Sequence, residues 1–302
     1  MNEELRLNAP FLRRRVPNLT VAARSVGLRP ATVSDLCNGK IPLGRAEVRT
    51  LVALAELAGC SLDDLVLRGA PVEMIETGIK VLDLFAPLVR GGSVGLVSRQ
   101  GLGQLVLLTE LVHRLRERGF ATVVWLPSGA DPQMQEAATT AEAVGSTLAE
   151  VYGLTHGFRH DREVLVAADR QTVLSGELDQ LQEQLRESGA PGDHAVTYAL
   201  VDASGESPDE ELPYGPLETV WRFDLDLAAR GLYPAVDPVA STSTLLEGAY
   251  LDPAHLTAER QARKLLRRYR ELNGLARIRG VERIPAAELP TYGRGERLEA
   301  FL

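Results

Sequence analysis

The apolar positions of this chain fall into two regimes. From Asn18 to Val66 they recur at helical spacing: small or apolar residues stand at 22, 23 and 26, Val33 and Leu36 lie three apart, and Leu51, Leu54, Ala55, Leu57 and Ala58 line one stripe. This predicts one helix before Gly27, a second from Pro30 to Cys37, and a third from Val48 onward. Further along, the pattern changes to short, continuous apolar runs. Ser93-Val94-Gly95-Leu96-Val97 and Tyr198-Ala199-Leu200-Val201 read as buried strands, another strand ends near Trp125, and an apolar helix follows residue 103. Leu174, Leu178, Leu181 and Leu185 return to helical spacing, as a core-facing stripe or a short dimer seam. These patterns imply helices in the head and buried strands and helices beyond it.

At the junction of strand 93–97 and its helix the chain reads Ser98-Arg99-Gln100-Gly101-Leu102-Gly103-Gln104-Leu105. That is the layout of a phosphate-binding loop, in which backbone amides wrap the phosphates, a lysine reaches the outer ones and a hydroxyl holds magnesium. Gly103 keeps the second glycine of G-x-x-x-x-G-K-[ST], but Ser98 replaces the first, Gln104 the lysine and Leu105 the hydroxyl. Glutamine brings no charge, and leucine cannot ligate a hard cation. The amides around Gly101 and Gly103, the helix dipole and Arg99 still suit an anion. Losing the lysine removes a contact worth about 1.5–3 kcal/mol. The expectation is therefore no cofactor, with only weak residual nucleotide or anion binding.

Longer stretches carry a family likeness. Ile75-Glu76-Thr77-Gly78-Ile79-Lys80-Val81-Leu82-Asp83-Leu84-Phe85-Ala86-Pro87, continuing to Gly92, resembles the opening of the nucleotide domain of rotary ATP synthase β subunits. Gly231-Leu232-Tyr233-Pro234-Ala235-Val236-Asp237-Pro238 with Ser241-Thr242-Ser243 resembles that family's adenine-side segment, and 267–275 and 296–302 are similar to its C-terminal helices. The resemblance implies an α/β RecA-like P-loop domain over 71–250, a C-terminal helical segment over 251–302, and assembly through the sides of the domain. It gives Tyr233 the position that packs against adenine, a packed core aromatic being the alternative. It matches the Walker B strand to 198–202, leaving Asp202 either to hold magnesium through water or to cap a turn before Ser204. The family's glutamate that positions the attacking water has no counterpart in Trp125-Leu126-Pro127-Ser128-Gly129-Ala130-Asp131. Without lysine, hydroxyl and glutamate the body reads as a pseudo-ATPase, not an enzyme, with a vestigial site of Arg99, Gly101, Gly103, Gln104, Asp202 and Tyr233.

Residues 1–70 carry a different likeness. Asn18 to Leu28, with its small residues and Gly27, followed by Pro30-Ala31-Thr32-Val33-Ser34-Asp35-Leu36-Cys37 and the stop at Asn38-Gly39-Lys40, resembles the all-α helix-turn-helix of the Cro/phage-repressor (XRE) family. Gly59-Cys60-Ser61-Leu62-Asp63-Asp64-Leu65 is similar to its closing turn and helix, with Ser61 as N-cap. The phosphate-contacting glutamine common near the first motif helix has no counterpart between Asn18 and Ala23. The resemblance implies that the second helix enters a major groove and offers Arg29, Ala31, Thr32, Ser34, Asp35, Asn38 and Lys40 to DNA. A head remade for protein docking is the alternative.

Composition sharpens this division. Of 302 residues 45% are hydrophobic, enough for two cores. Residues 1–70 hold ten Lys/Arg against seven Asp/Glu, a balance of +3, while 71–302 hold 23 against 34, a balance of −11. A basic head on an acidic body suits one face turned to double-stranded DNA, and so small a surplus favours a homodimer on a palindromic site. Only Cys37 and Cys60 occur, with no CxxC and no signal-type apolar run, which favours a reducing cytoplasm. His156 and His160 have i, i+4 spacing, but Gly157 disfavours a helix there, and solvated loop histidines are the expectation over a zinc site. Arg263-Lys264-Leu265-Leu266-Arg267-Arg268-Tyr269-Arg270 reads as a solvated helix face, a second nucleic-acid contact being the alternative. Together these features point to a DNA-binding transcriptional regulator whose inactive body serves oligomerisation or ligand sensing. A nucleotide-dependent switch or motor on nucleic acid, and a protein-docking pseudo-ATPase, are the competing readings.

Overall fold

The computed structural model describes residues 5–16, 18–37, 40–68, 73–99, 101–130, 132, 134–202, 214, 217–246 and 250–302. Contacts divide the chain into two units, Met1–Glu73 with Thr244–Leu256, and Met74–Ser243 with Thr257–Leu302.

In the first unit a strand β1 (Leu5–Leu7) leads to helices α1 (Ala9–Arg15), α2 (Leu19–Ser25), α3 (Pro30–Cys37), α4 (Val48–Ala58) and α5 (Leu62–Leu65), then strand β2 (Val66–Arg68). Local chemistry sets the ends. Gly27 turns the chain after α2 with φ 73°, a left-handed conformation that costs glycine little, and the Leu28 N–H donates back to the Ala23 carbonyl at 2.9 Å. Pro30 opens α3, where its missing N–H is harmless. Ser61 caps α5 as its sequence position suggests: its hydroxyl accepts from the Asp64 N–H at 3.2 Å, and the Asp64 carboxylate accepts from the Ser61 N–H at 2.9 Å. Leu12, Ala23, Val33, Leu54 and Leu65 are buried in one cluster. The unit is not all-α. β1 pairs antiparallel with β2, Leu5 opposite Arg68. Three-residue strands are too short to display an alternating pattern, so the ribbon escapes sequence reading.

The second unit opens with β3 (Met74–Ile75), helix α6 (Lys80–Phe85) and β4 (Leu88–Val89), with β3 and β4 paired antiparallel. The Asp83 carboxylate accepts from the Thr77 N–H and hydroxyl and from the Gly78 N–H, each at 2.8 Å, so residues 77–83 form a closed polar knot. There follow β5 (Ser93–Val97), α7 (Gln104–Glu117), β6 (Ala121–Trp125), α8 (Met134–Thr140), β7 (Ala143–Gly145), α9 (Leu148–Phe158), β8 (Val164–Asp169), α10 (Gln171–Leu174), α11 (Glu177–Glu187), β9 (Val196–Val201), β10 (Thr219–Arg222), α12 (Leu225–Ala229) and β11 (Thr242–Ser243). The sheet order is β11-β10-β5-β9-β8-β6-β7, parallel throughout except for β11.

Both faces of this sheet are covered, and the strands alternate between them. Leu165, Ala167, Ala199 and Val201 join the cluster that holds Leu107, Leu108 and Leu111 of α7. Val164, Val166, Tyr198 and Leu200 point the other way, onto Leu178, Leu181 and Leu185 of α11. The leucine stripe is thus core, not seam, and the helix breaks before Gly176, leaving Leu174 exposed.

Helices α13 (Pro253–Arg279) and α14 (Leu289–Phe301) follow, and α13 is tied to the sheet by a partly buried cation. The Arg263 guanidinium donates to the carbonyls of Val239 at 2.9 Å, Ser241 at 3.0 Å and Phe85 at 2.6 Å, and pairs with Glu259. Beside it the Trp221 indole donates to the Ala86 carbonyl at 2.8 Å, and the Ser243 hydroxyl to the Pro87 carbonyl at 2.7 Å. The basic run at 263–270 is therefore not simply a solvated face: Arg270 also turns inward to Asp237 at 2.8 Å. Among the described residues no helix is long and apolar enough to cross a membrane. Arg263→Met should lower unfolding free energy by about 3–5 kcal/mol, because it strands the buried Glu259 and three carbonyls; urea denaturation followed by circular dichroism measures this.

Candidate functional site

The carboxyl end of a parallel strand is where an open α/β sheet leaves a crevice, and here β5 ends in the glycine loop. Gly101 (φ 82°) and Gly103 (φ 90°) bend that loop into the N-terminus of the 14-residue α7. Arg99 and Gly101 are exposed. The position where a phosphate-binding lysine would stand behaves otherwise. Gln104 is 2% exposed, and its Oε1 lies 3.3 Å from the Ser98 hydroxyl, which also donates to the Arg99 carbonyl at 2.7 Å. An uncharged amide is accommodated there by one hydrogen-bond partner, whereas a lysine ammonium would have to extend out of that burial to water or a phosphate. Leu105 joins the apolar core beneath. Both substituted positions have turned inward, so the loop presents backbone and Arg99 rather than reactive side chains.

The retained carboxylate is engaged as well. Asp202 is 2% exposed and faces Arg170, whose Nη1 lies 3.5 Å from its Oδ2. Arg170 is itself buried, with its N–H donating to the Val201 carbonyl at 2.7 Å. Asp202 thus faces a guanidinium of the protein itself. The turn that Asp202 was expected to cap lies outside the described residues. A second carboxylate, Asp169, was missed. It ends β8 opposite Val201 and accepts from the Gln171 N–H at 2.8 Å. Its signal was available, since Val164 to Asp169 is an apolar run ending in aspartate like the run ending at Asp202.

Tyr233 is neither packed core nor enclosed: it is 53% exposed. Partial burial and Glu110 raise its phenol above the ordinary range while Arg114 pulls it down, which puts the ring beside α7. The histidine pair sits differently from expectation too. α9 runs through Gly157, the His156 and His160 rings meet edge-on at 4.8 Å, and the His160 Nδ1 bonds Asp193 at 2.7 Å. Packing of α9 on the sheet outweighs the modest helix cost of one glycine. Among the described residues no three His, Cys, Asp or Glu side chains group to hold a metal.

In the first unit α3 buries Val33, Leu36 and Cys37 and leaves Arg29 and Ala31 exposed, with Thr32, Ser34 and Asp35 half-buried. Lys40 is exposed and pairs with Asp35 at 3.7 Å, so this carboxylate is partly engaged; Asn38 lies outside the described residues. Arg29 and Thr32 line a concavity of about 660 Å³ together with Arg45, Glu47 and Arg49. Those last two arginines were missed. They flank the start of α4, and only the fold brings them beside Arg29.

No protein-family model matches the chain. Its structure is similar to that of a unique ATP synthase subunit, NeqB, from Nanoarcheaum equitans: TM-score 0.60 and 18% identity, covering 77% of this chain and 71% of that one. At that identity the likeness is one of fold, a mixed α/β architecture whose seven-stranded sheet is mostly parallel. The double variant Gln104→Lys/Leu105→Thr should bind ATP about tenfold more tightly than the natural chain, from one regained charge-assisted contact. It should still release no phosphate, because Asp202 stays on Arg170; equilibrium titration and a phosphate-release assay test both halves.

Proposed function

We propose that this chain is a DNA-binding protein, a transcriptional regulator, whose ATPase-like body is catalytically inactive and serves oligomerisation or ligand sensing. The observation that carries the reading is the pairing of α2 and α3 across Gly27, with the inner face of α3 in the core and its first turn facing out. In the Cro/phage-repressor helix-turn-helix, which this segment resembles, that second helix lies in the major groove. Arg29 then forks to a guanine edge, and Ala31 and Thr32 meet thymine methyl groups or base acceptors. Lys40, Arg45 and Arg49 supply phosphate contacts, which position the helix without reading sequence. Asp35, paired with Lys40, contributes to the local fold more than to cytosine recognition.

The body's chemistry supports the inactive reading. A buried Gln104, a core Leu105 and an Asp202 paired with Arg170 leave the exposed Arg99 as the loop's one charged side chain. A homodimer built through the body would set two heads on half-sites about 34 Å apart, favouring a palindromic operator.

The test is selection of bound duplexes from a random pool, followed by titration at two salt concentrations with and without ATP and magnesium. The natural chain should select a sequence indifferently to ATP. Arg29→Ala and Thr32→Ala should each flatten the preference by about 1–3 kcal/mol at one base position, with an unchanged circular dichroism melt. An unaltered preference in both variants overturns the assignment of α3. Binding that follows ATP points instead to a nucleotide-dependent switch.

A further inference from the structure

α13 carries more cations than the fold consumes. Arg263 is spent on three carbonyls, Arg268 on Glu271 and Glu288 at 2.6 Å each, and Arg270 on Asp237. Arg260, Lys264 and Arg267 remain: all three are exposed, and none makes an ion pair or side-chain hydrogen bond among the described residues. They stand at i, i+4 and i+7, which puts them on one strip of the helix, and together with Glu259, Arg263, Arg268 and Glu271 they line a shallow concavity of about 380 Å³. This strip belongs to the body, the half of the chain whose sequence balance is −11. Three unspent cations in a line on an otherwise acidic unit are an exception that fold stability does not require.

We propose that the Arg260–Lys264–Arg267 strip is a second, sequence-independent contact to the phosphate backbone of duplex DNA. The proposal rests on the DNA-binding reading of the head and extends it. Charge and spacing both favour this partner. Seven residues of helix rise about 10 Å, and one strand of duplex carries a phosphate about every 3.4 Å of axis, so the strip spans roughly three successive phosphates. Two of the cations are arginines, whose planar fork matches phosphate oxygens. The contact would add affinity without adding preference, because no base edge is read from outside the grooves. It also compensates for a head whose surplus charge is only +3.

The experiment uses the full-length protein and compares the natural chain, the triple variant Arg260→Gln/Lys264→Gln/Arg267→Gln, and Arg260→Lys/Arg267→Lys, which keeps the charge. The probe is a mixed-sequence DNA duplex alongside the duplex that the natural chain prefers. Each neutralised phosphate adds about 0.9 to the slope of log affinity against log salt, so the triple variant should lose about 2.7 from that slope on both duplexes, with its preference between them unchanged. The charge-keeping variant should hold most of the slope. Glutamine is a good helix former, and an unchanged melt of the triple variant verifies that α13 persists.

Failure of either reading is distinguishable. If the natural chain binds the duplexes and responds to Arg29→Ala, but the triple variant keeps the natural slope, the strip is overturned and the head stands. If the triple variant instead shifts sedimentation while the slope is retained, the partner is an acidic protein surface and the proposal is equally overturned. If the natural chain binds no duplex, the DNA-binding reading falls and the strip falls with it.

Discussion

The second unit depends on where one arginine's donors go. The carbonyls of Phe85 on one side, and of Val239 and Ser241 on the other, come from segments far apart in sequence and need donors where they leave solvent. Arg263 reaches all three from α13, with Glu259 balancing its charge. A lysine would not serve, because a single ammonium group lacks the planar fork that addresses separated acceptors. This fixes the end of α6, the chain before β11 and α13 against one another. β10 then lies beside β5, and β5 ends where the glycine loop must begin.

That loop shows which of its features the fold itself requires. Helix N-terminus, left-handed glycines and strand order all remain, because each is required by the fold. The side chains after Gly103 and at the end of β9 make internal contacts: Gln104 bonds within the loop, Leu105 enters the core, and Arg170 lies 3.5 Å from Asp202. Stability and chemistry compete for the same positions, and here the inward-facing side chains satisfy stability.

Charge is allotted by a similar economy along α13. Arg263, on the face toward the sheet, closes hydrogen bonds, Arg268 closes ion pairs with Glu271 and Glu288, and among the described residues the outward strip closes no ion pair or side-chain hydrogen bond. Sequence alone presents all of these as one basic run. Burial sorts them, since an exposed cation stays hydrated at no cost whereas a buried one demands partners.

What the sequence determined by itself is whatever local physics decides: the end of α2 at Gly27, the cap at Ser61, the core face of α3 and the turn from β5 into α7. Each depends on neighbours within a few residues, through backbone sterics, one side-chain bond or helical period. The missing lysine, hydroxyl and glutamate were legible too, since an absent functional group needs no fold to be seen. Only tertiary structure decided that Gln104 points inward, that Asp202 meets Arg170, that Tyr233 is half-exposed, and that Arg45 and Arg49 share a concavity with Arg29. It also decided that α9 runs through Gly157 and that a β-ribbon joins residues 5–7 to 66–68. These outcomes depend on partners tens of residues away, whose packing and charge outweigh local preference, and no spacing along the chain records which partner a buried group will find.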